Sequence, residues 1–301
     1  MSQMFRPTRE QFDQMCFKVS DEMRGHVYPY IASISRELEP NVGEHLGSGL
    51  YLDLRGEAYI LTNEHVARAI SGKSLAHQLL QGEGATRVMN PFQAARHPYD
   101  MALTRIERKV WLDNKNARLA LNASRIASRH DPEESELLFM LGYSGQRSYF
   151  SPSFETLVTN GTPYLTQETK TPPEGLSEMC FAIPYLPELA KTLSPKGAGL
   201  PDPHGFSGTP VWDTNFNRCM RNNRHWTPEE SSITGIITRW SEDTGHLIAV
   251  RVEFIQEFLL YALRCEAAYF NWMRRGRPEN DALADWVWAE KALSQLAATE
   301  A

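Results

Sequence analysis

Three short stretches of the 301-residue sequence carry side chains that could move a proton or attack a carbonyl group. His65 follows an apolar run, and an imidazole with an ordinary pKa of about 6.5 can accept and return a proton at neutral pH. Asp100 precedes another apolar run and could accept the second N–H of a histidine, which fixes its tautomer. Ser207 offers a hydroxyl group. Each residue alone also fits a structural role, so only their combination points to chemistry.

The glycines around Ser207 give its stretch a further property. Gly205 stands two residues before the serine and Gly208 directly after it, which permits a tight turn that exposes the hydroxyl. The same turn could aim the backbone N–H groups of Gly205 and Ser207 at one point and stabilise an oxyanion there. Taken by itself, the stretch also allows an ordinary glycine-rich surface turn.

Ser144 offers a second arrangement, that of an esterase. It lies in a Gly-Tyr-Ser-Gly run and is followed by Asp202 and by His225 or His246, in the order Ser, Asp, His. A nucleophile elbow, however, needs a glycine where Gln146 stands and opens a helix that the next residues do not indicate. The esterase arrangement is therefore disfavoured.

No metal and no cofactor are expected. His204, Cys219 and His225 could act as ligands, but they lack the paired spacing of a metal site. The cysteines are too sparse for a disulfide framework and include no CxxC pair. They are Cys16, Cys180, Cys219 and Cys265.

Composition and charge exclude several classes of protein. With 42% hydrophobic and 23% charged residues, the chain resembles folded soluble proteins rather than disordered ones. A net charge of −6 argues against a protein that coats nucleic acid. No apolar run reaches the roughly 18 residues of a membrane span, and the N-terminus lacks the apolar segment of a secretory signal. We therefore expect a cytoplasmic protein.

Short β segments must position the reactive side chains. Between about residues 27 and 252, runs rich in Tyr, Ile, Leu, Val and Thr are bounded mostly by turn residues, which favours an antiparallel barrel or sandwich. Arg55, Gly56 and Glu57 predict a hairpin turn between two of these runs.

Helices are predicted at both ends. Thr8 and Gln11 form a capping-box pattern, and Gly25 is expected to end the helix that follows. A second helix is predicted from Glu253 and a third over Glu279–Ala298. The apolar stripe of the first helix consists of Phe12, Met15, Cys16 and Val19.

The ordered motifs resemble those of the trypsin-like (chymotrypsin-fold) serine peptidases, in particular an intracellular bacterial branch. Bacterial relatives such as the high-temperature-requirement proteases carry a GSG strand followed by LTNxHV, DxAL and GxSGxP. The matching runs here are GSGLYLDL, LTNEHVA, DMALTRI and GFSGTPVW. The order His, Asp, Ser also differs from that of subtilisins and α/β-hydrolases.

This resemblance implies an all-β core of two antiparallel six-stranded β-barrels, chymotrypsin-like, with N-terminal and C-terminal helices. It covers residues 25–263, and the barrels are expected at about 25–125 and 126–263. A helical segment at 1–24 and a helical tail at 264–301 lie outside it.

The resemblance also implies a role for each residue of the site. Ser207 would attack the carbonyl group of a peptide bond, and His65 would take its proton and pass it to the leaving amine. Asp100 would orient His65, and the N–H groups of Gly205 and Ser207 would form the oxyanion hole. The expected activity is that of a metal-independent serine endopeptidase.

Four further residues are candidates for binding the substrate. Thr238, Arg239 and Trp240 match the family strand that pairs with an extended substrate and walls the primary pocket. Thr238 is also a candidate partner for Asp100. Asp202 could line the primary pocket and favour Lys or Arg, or it could belong to a surface loop.

Phe206 departs from the family pattern, because relatives that are activated by cleavage have an acid there. That route of activation is therefore not expected. A second hypothesis keeps the fold and makes the chain a binding or scaffold protein whose site is latent until a partner binds. The expected partners are a protein or peptide substrate and a regulatory protein on the terminal helices, with no nucleic acid and no membrane.

Overall fold

The computed structural model describes residues 8–39, 42–68, 75–79, 85–114, 118–151, 156–192 and 199–300, and its core is mostly β. The strands are β1 Ile31–Glu39, β2 Val42–Leu54, β3 Glu57–Thr62, β4 Leu75–His77, β5 Thr86–Arg87, β6 Gln93–Ala95, β7 Met101–Arg105, β8 Leu121–Asn122, β9 Leu138–Ser151, β10 Thr156–Thr166, β11 Cys180–Pro184, β12 Pro210–Asp213, β13 Ser232–Ser241 and β14 His246–Arg251. The helices are α1 Arg9–Val27, α2 Glu64–Arg68, α3 Arg108–Leu112, α4 Phe216–Arg221, α5 Val252–Arg274 and α6 Ala282–Glu300.

The first sheet has the strand order β5-β4-β1-β2-β3-β7-β6, and β8 pairs with β2 in parallel. Across the described residues it has eight strands rather than the expected six, of which β5 and β8 are only two residues long. The predicted hairpin is confirmed between β2 and β3. Its two turn residues, Arg55 and Gly56, have φ angles of 62° and 79°, as a type I′ turn requires.

The second sheet has the order β10-β9-β12-β13-β14-β11, with six antiparallel strands in the described part of the chain. Two antiparallel sheets with helices at both ends confirm the expected fold class. A long connection, residues 185–209, joins β11 to β12 and carries both Asp202 and Ser207. Both residues are therefore held by loop backbone rather than by a strand.

The largest apolar cluster lies between the two sheets. Leu52 and Leu61 of the first sheet meet Phe139, Trp212 and Val250 of the second, and all five are at most 1% exposed. Burying one such side chain stabilises a fold by about 1.5–3 kcal/mol, so this cluster fixes how the two sheets dock. Each sheet also has a smaller cluster of its own.

Helix α1 packs against the second sheet. The predicted capping box is present: the Gln11 side chain accepts from the Thr8 N–H at 2.9 Å, and the Gln11 N–H donates to the Thr8 hydroxyl at 3.3 Å. The prediction that Gly25 ends the helix is wrong, because α1 continues to the buried Val27. A helical glycine costs about 1 kcal/mol, which packing outweighs here. Phe12, predicted on the apolar stripe, is 41% exposed.

Helices α5 and α6 form a hairpin. Helix α5 continues without a break through Leu263, the predicted end of the domain, and α6 begins at Ala282, three residues later than predicted. Asn271 and Asp285 are buried between the two helices, where the Asn271 amide donates to Asp285 Oδ1 at 2.6 Å. The Arg275 guanidinium donates to the same oxygen at 3.0 Å.

Candidate active site

His65 and Asp100 are held together where the neighbouring strands β3 and β7 of the first sheet end and begin. His65 lies in the short helix α2, directly beyond β3, and its imidazole is 40% exposed. The His65 Nδ1 atom lies 2.7 Å from Asp100 Oδ2, and the His65 backbone N–H donates to Asp100 Oδ1 at 3.0 Å. A carboxylate at Nδ1 holds the proton there and leaves Nε2 free to accept one.

Asp100 has an uncommon backbone conformation, with φ at 50° in the left-handed region. Aspartate tolerates this region better than most residues, but its occupation still needs support from the surrounding structure. Asn63 supplies some of that support, because its side-chain amide donates to the Asp100 carbonyl oxygen at 2.8 Å. Two residues just beyond the end of β3, Asn63 and His65, therefore position Asp100.

Ser207 lies in a turn that only glycine permits at two positions. Gly205 and Gly208 have φ angles of 99° and 88°. A Cβ atom added to Gly208 would lie 1.9 Å from the Ser48 carbonyl oxygen, so no side chain fits there. The Phe206 side chain is 1% exposed and meets the Tyr185 ring edge-on, with the ring centroids 5.8 Å apart. The turn is thus anchored by an apolar side chain.

Ser48 connects this turn to the first sheet. Its N–H donates to the Ser207 carbonyl oxygen at 2.8 Å, and its hydroxyl donates to the Gly205 carbonyl oxygen at 3.0 Å. The same hydroxyl accepts from the Tyr143 N–H at 2.9 Å. Thr62, three residues before His65, also lies against the turn, because a Cβ on Gly208 would meet its hydroxyl at 2.6 Å. The structure therefore places the His65 and Ser207 stretches side by side.

The backbone N–H groups of residues 204–209 are not all used inside the protein. Within the described residues, those of Gly205 and Ser207 have no acceptor. The other four donate as follows: His204 to Asp202 Oδ1, Phe206 to Pro203 O, Gly208 to Ile237 O and Thr209 to Phe206 O.

The Ser207 hydroxyl donates to the Thr238 carbonyl oxygen at 3.2 Å rather than to the His65 ring. The predicted bond from Thr238 to Asp100 is not formed, because the Thr238 hydroxyl donates to Ile248 O of β14 at 3.3 Å. A register shift between Ile237 and Arg239 explains this orientation, since it places Thr238 at a bulge in β13.

The remaining predicted substrate-binding residues flank this turn. Arg239 is exposed, and the Trp240 ring packs on the apolar cluster of the second sheet. The His204 ring meets Trp240 edge-on at 5.9 Å. Asp202 is half exposed, and its Oδ1 accepts from both the N–H and the imidazole Nδ1 of His204.

The structure does not support the esterase arrangement around Ser144 or the metal site of His204, Cys219 and His225. Ser144 is fully buried in β9, and its hydroxyl donates to the Asp202 carbonyl oxygen at 2.6 Å, so it is no exposed nucleophile. Cys219 is buried, whereas the His204 side chain is 80% exposed. No group of three or more His, Cys, Asp or Glu side chains in the described ranges could hold a metal ion.

His45 is a site residue that the sequence did not reveal. Burial lowers the pKa of this imidazole to about 4, so it is neutral at pH 7. Its Nδ1 lies 3.2 Å from the Ser33 hydroxyl, and its Nε2 lies 3.1 Å from the Tyr143 carbonyl oxygen. A Cβ on Gly205 would meet Nε2 at 2.8 Å. The only signal was its position three residues before Ser48.

Two comparisons by sequence give little about the site. A family described as "Protein of unknown function (DUF2934)" matches residues 266–295, which span the end of α5, the connection after it and most of α6. No curated protein matches the chain. In the structure itself, none of the helices formed by described residues is both long and apolar enough to cross a membrane.

Comparison with solved structures gives weak likenesses. The protease domain of MamO from Magnetospirillum magneticum is 12% identical, with a TM-score of 0.46 over 77% of this chain and 96% of that one. Tobacco etch virus protease complexed with product is 13% identical, with a TM-score of 0.43 over 84% and 81%. A structure reported for the Sesbania mosaic virus VPg protein is 14% identical, with a TM-score of 0.43 over 77% and 90%.

Proposed function

We propose that this protein is a serine endopeptidase, with Ser207 as nucleophile, His65 as general base and acid, and Asp100 as the residue that orients His65. One observation carries the proposal. Between residues 204 and 209, the unbonded N–H groups are those of the nucleophile Ser207 itself and of Gly205, two residues before it, and an oxyanion hole requires two such free donors. The His65–Asp100 pair and the resemblance of the four motifs support it.

In the first half of the reaction, Ser207 Oγ would bond to the carbonyl carbon of a peptide while its proton passes to His65 Nε2. The carbonyl oxygen becomes an oxyanion that accepts from the N–H groups of Gly205 and Ser207. Its collapse breaks the C–N bond, and the amine leaves with the proton held by His65. An ester on Ser207 remains.

In the second half, a water molecule adds to this ester while one of its protons passes to His65 Nε2. Collapse of the second tetrahedral intermediate breaks the bond to Ser207 Oγ, which regains that proton, and the carboxylic acid leaves. Asp100 would stabilise the imidazolium that forms in each half. No group other than peptide, water and these side chains is needed to balance the reaction.

An extended substrate would bind along β13. In the described part of the chain, no strand pairs with residues 238–240 on the side opposite β14. An open strand edge can take up a peptide as an additional strand. Trp240 and Arg239 would then contact its side chains. Whether Asp202 selects Lys or Arg stays a prediction, which the cleavage profile of a peptide library would test.

The deciding experiment is labelling with a fluorophosphonate probe, which reacts with an activated serine. The purified wild-type chain should be labelled and should cleave peptides, and Ser207→Ala should abolish both while keeping its fold by circular dichroism. Ser294→Ala, at an exposed position on α6, should retain both activities. Labelling that persists in Ser207→Ala would disprove the assignment.

A second candidate is a latent protein of this fold that becomes active only with a partner. The Ser207 hydroxyl favours it, because its hydrogen bond goes to the Thr238 carbonyl oxygen rather than to His65. The same probe separates the two, since a latent wild-type chain would not be labelled when purified. A cytoplasmic location, a bacterial source and a regulatory partner on the terminal helices are further proposals from the sequence.

A further inference from the structure

The Gly-Tyr-Ser-Gly run (residues 142–145) takes part in no step of the proposed reaction, although it lies beside the nucleophile turn, residues 204–209. It belongs to β9, whose pairing with β10 is shifted between Tyr143 and Ser148. Residues 144–147 lie opposite the single residue Asn160, so they bulge out of the ladder. Such bulges free backbone groups from the sheet and are common beside active sites.

The freed N–H of Gly145 donates to the His204 carbonyl oxygen at 2.8 Å. That carbonyl belongs to the same peptide group as the Gly205 N–H. In a trans peptide the C=O and N–H point in opposite directions, so a donor fixed on the carbonyl aims the N–H away from it. Gly145 therefore sets the direction of one of the two unbonded N–H groups, on the side facing away from β9.

The neighbours of Gly145 hold the segment just before this peptide group. The Ser144 hydroxyl donates to the Asp202 carbonyl oxygen at 2.6 Å, and the Gln146 side chain accepts from the Asp202 N–H at 2.7 Å. Gly205 has φ at 99°, and a glycine there could also adopt other conformations at little cost. Without such anchors, the peptide group could rotate and remove the N–H from the site.

We propose that Ser144, Gly145 and Gln146 are positioning residues that keep the oxyanion-binding N–H of Gly205 aimed at the reaction centre without an activating cleavage or a partner. This inference rests on the proposed function. Phe206 adds to the same effect, because its buried ring anchors the turn where an activating ion pair is not available. The direction of the Gly205 N–H is thus set by contacts from β9 of the second sheet.

Two substitutions at one position test the inference. Gly145→Pro removes the N–H donor, whereas Gly145→Ala keeps it, and the added Cβ would lie 3.7 Å from the His204 carbonyl oxygen, an ordinary contact. Loss of one oxyanion donor lowers kcat by about 100-fold to 1,000-fold. We expect about a 100-fold loss of kcat for Gly145→Pro, the lower end of that range, and less than about threefold for Gly145→Ala. KM should change little in either.

Gln146→Met and Ser144→Ala keep the backbone donor and test the proposal if the proline variant does not fold. Each should lower kcat by about tenfold with KM unchanged, because the Gly205 peptide group is then aimed only part of the time. Affinity for a peptide trifluoromethyl ketone, which forms a tetrahedral adduct with the serine, should fall in proportion to kcat/KM.

The outcomes separate this inference from the proposed function. If the wild-type chain is neither labelled by the fluorophosphonate nor active, the proposed function fails. If the purified wild type is active but the folded substitutions of Gly145, Ser144 and Gln146 lose no kcat, the inference alone fails. A wild type that gains activity only after cleavage or addition of a partner would also overturn it.

Discussion

The Asp100 carboxylate holds His65 at two atoms, with Oδ2 at 2.7 Å from the imidazole Nδ1 and Oδ1 accepting the His65 backbone N–H at 3.0 Å. The ring and the backbone of His65 are therefore fixed by one side chain. The Asp100 side chain is 21% exposed, so solvent screens this pairing only in part.

Asp100→Asn should leave the fold intact and lower kcat by on the order of 10⁴-fold, the loss that a wrong histidine tautomer causes in Ser–His–Asp peptidases. The asparagine amide would donate to His65 Nδ1, so the imidazole proton would move to Nε2. A protonated Nε2 cannot accept the proton of the Ser207 hydroxyl. Steady-state peptide cleavage and the unfolding midpoint would measure the two effects. Activity within tenfold of wild type would contradict the role of Asp100.

Gly208→Ala should destabilise the protein far more than the same change at Gly56. Both glycines have positive φ, but a Cβ on Gly56 would meet nothing within 4 Å, whereas one on Gly208 would overlap the Ser48 carbonyl. Gly56→Ala should lower the free energy of unfolding by about 1–2 kcal/mol. Gly208→Ala adds an overpacking cost of about 1–3 kcal/mol and should also abolish activity. Urea unfolding of both variants tests this, and equal losses would contradict it.

Asp213 should make stability depend on pH. Burial, with a smaller contribution from the Glu136 charge, raises the pKa of Asp213 to about 6 from 3.8. The folded protein therefore binds more protons than the unfolded chain between pH 4 and 6, so stability falls as pH rises through that window. Two pKa units correspond to a cost of about 3 kcal/mol above pH 6.

Asp213→Asn should remove this cost while keeping an oxygen for the Asn215 N–H, which donates to Asp213 Oδ1 at 2.8 Å. The variant should be more stable than wild type at pH 7.5, and the difference should shrink by pH 4. Asp243→Asn, at an exposed position, serves as the control. A pH-independent difference in urea unfolding would count against the burial of a charge at Asp213.

Asp285→Ala should loosen the α5–α6 hairpin without changing catalysis. It leaves the buried Asn271 amide without its acceptor, which costs about 1–3 kcal/mol. Limited proteolysis should then cut more rapidly between residues 275 and 282, while kcat stays at the wild-type value. Glu290→Ala removes only an exposed ion pair to Arg264, worth less than about 1 kcal/mol, and should not change the cutting rate.

The sequence could predict the parts of the site that depend on local order. His65 follows β3 and Asp100 precedes β7, and these strands pair antiparallel with Thr62 opposite Ala102. In an antiparallel pair, the end of one strand lies beside the start of the other. Residues just after the first strand and just before the second are therefore close in space. The hairpin at Gly56 and the capping box at Thr8 likewise depend only on neighbouring residues.

The anchors of the nucleophile turn could not be predicted in this way. Ser48 and Gly205 are 157 residues apart in sequence, and their contact exists only because the two sheets dock. The Gly145 N–H donates to the His204 carbonyl oxygen because β9 bulges out of its pairing with β10. No residue pattern in β9 predicts a register shift of this kind. Gly25 failed as a helix end for a similar reason, since distant packing decided the outcome.

The residues proposed for catalysis lie on two consecutive pieces of chain, one for each sheet. His65 and Asp100 belong to the piece that ends with β8, and Ser207 belongs to the piece that begins with β9. Cutting the connection at residues 123–137 would give two fragments, neither of which contains a complete site. Under the proposed function, peptide cleavage by the mixed fragments would report their reassociation, so the chain could be divided there to make a split-enzyme sensor.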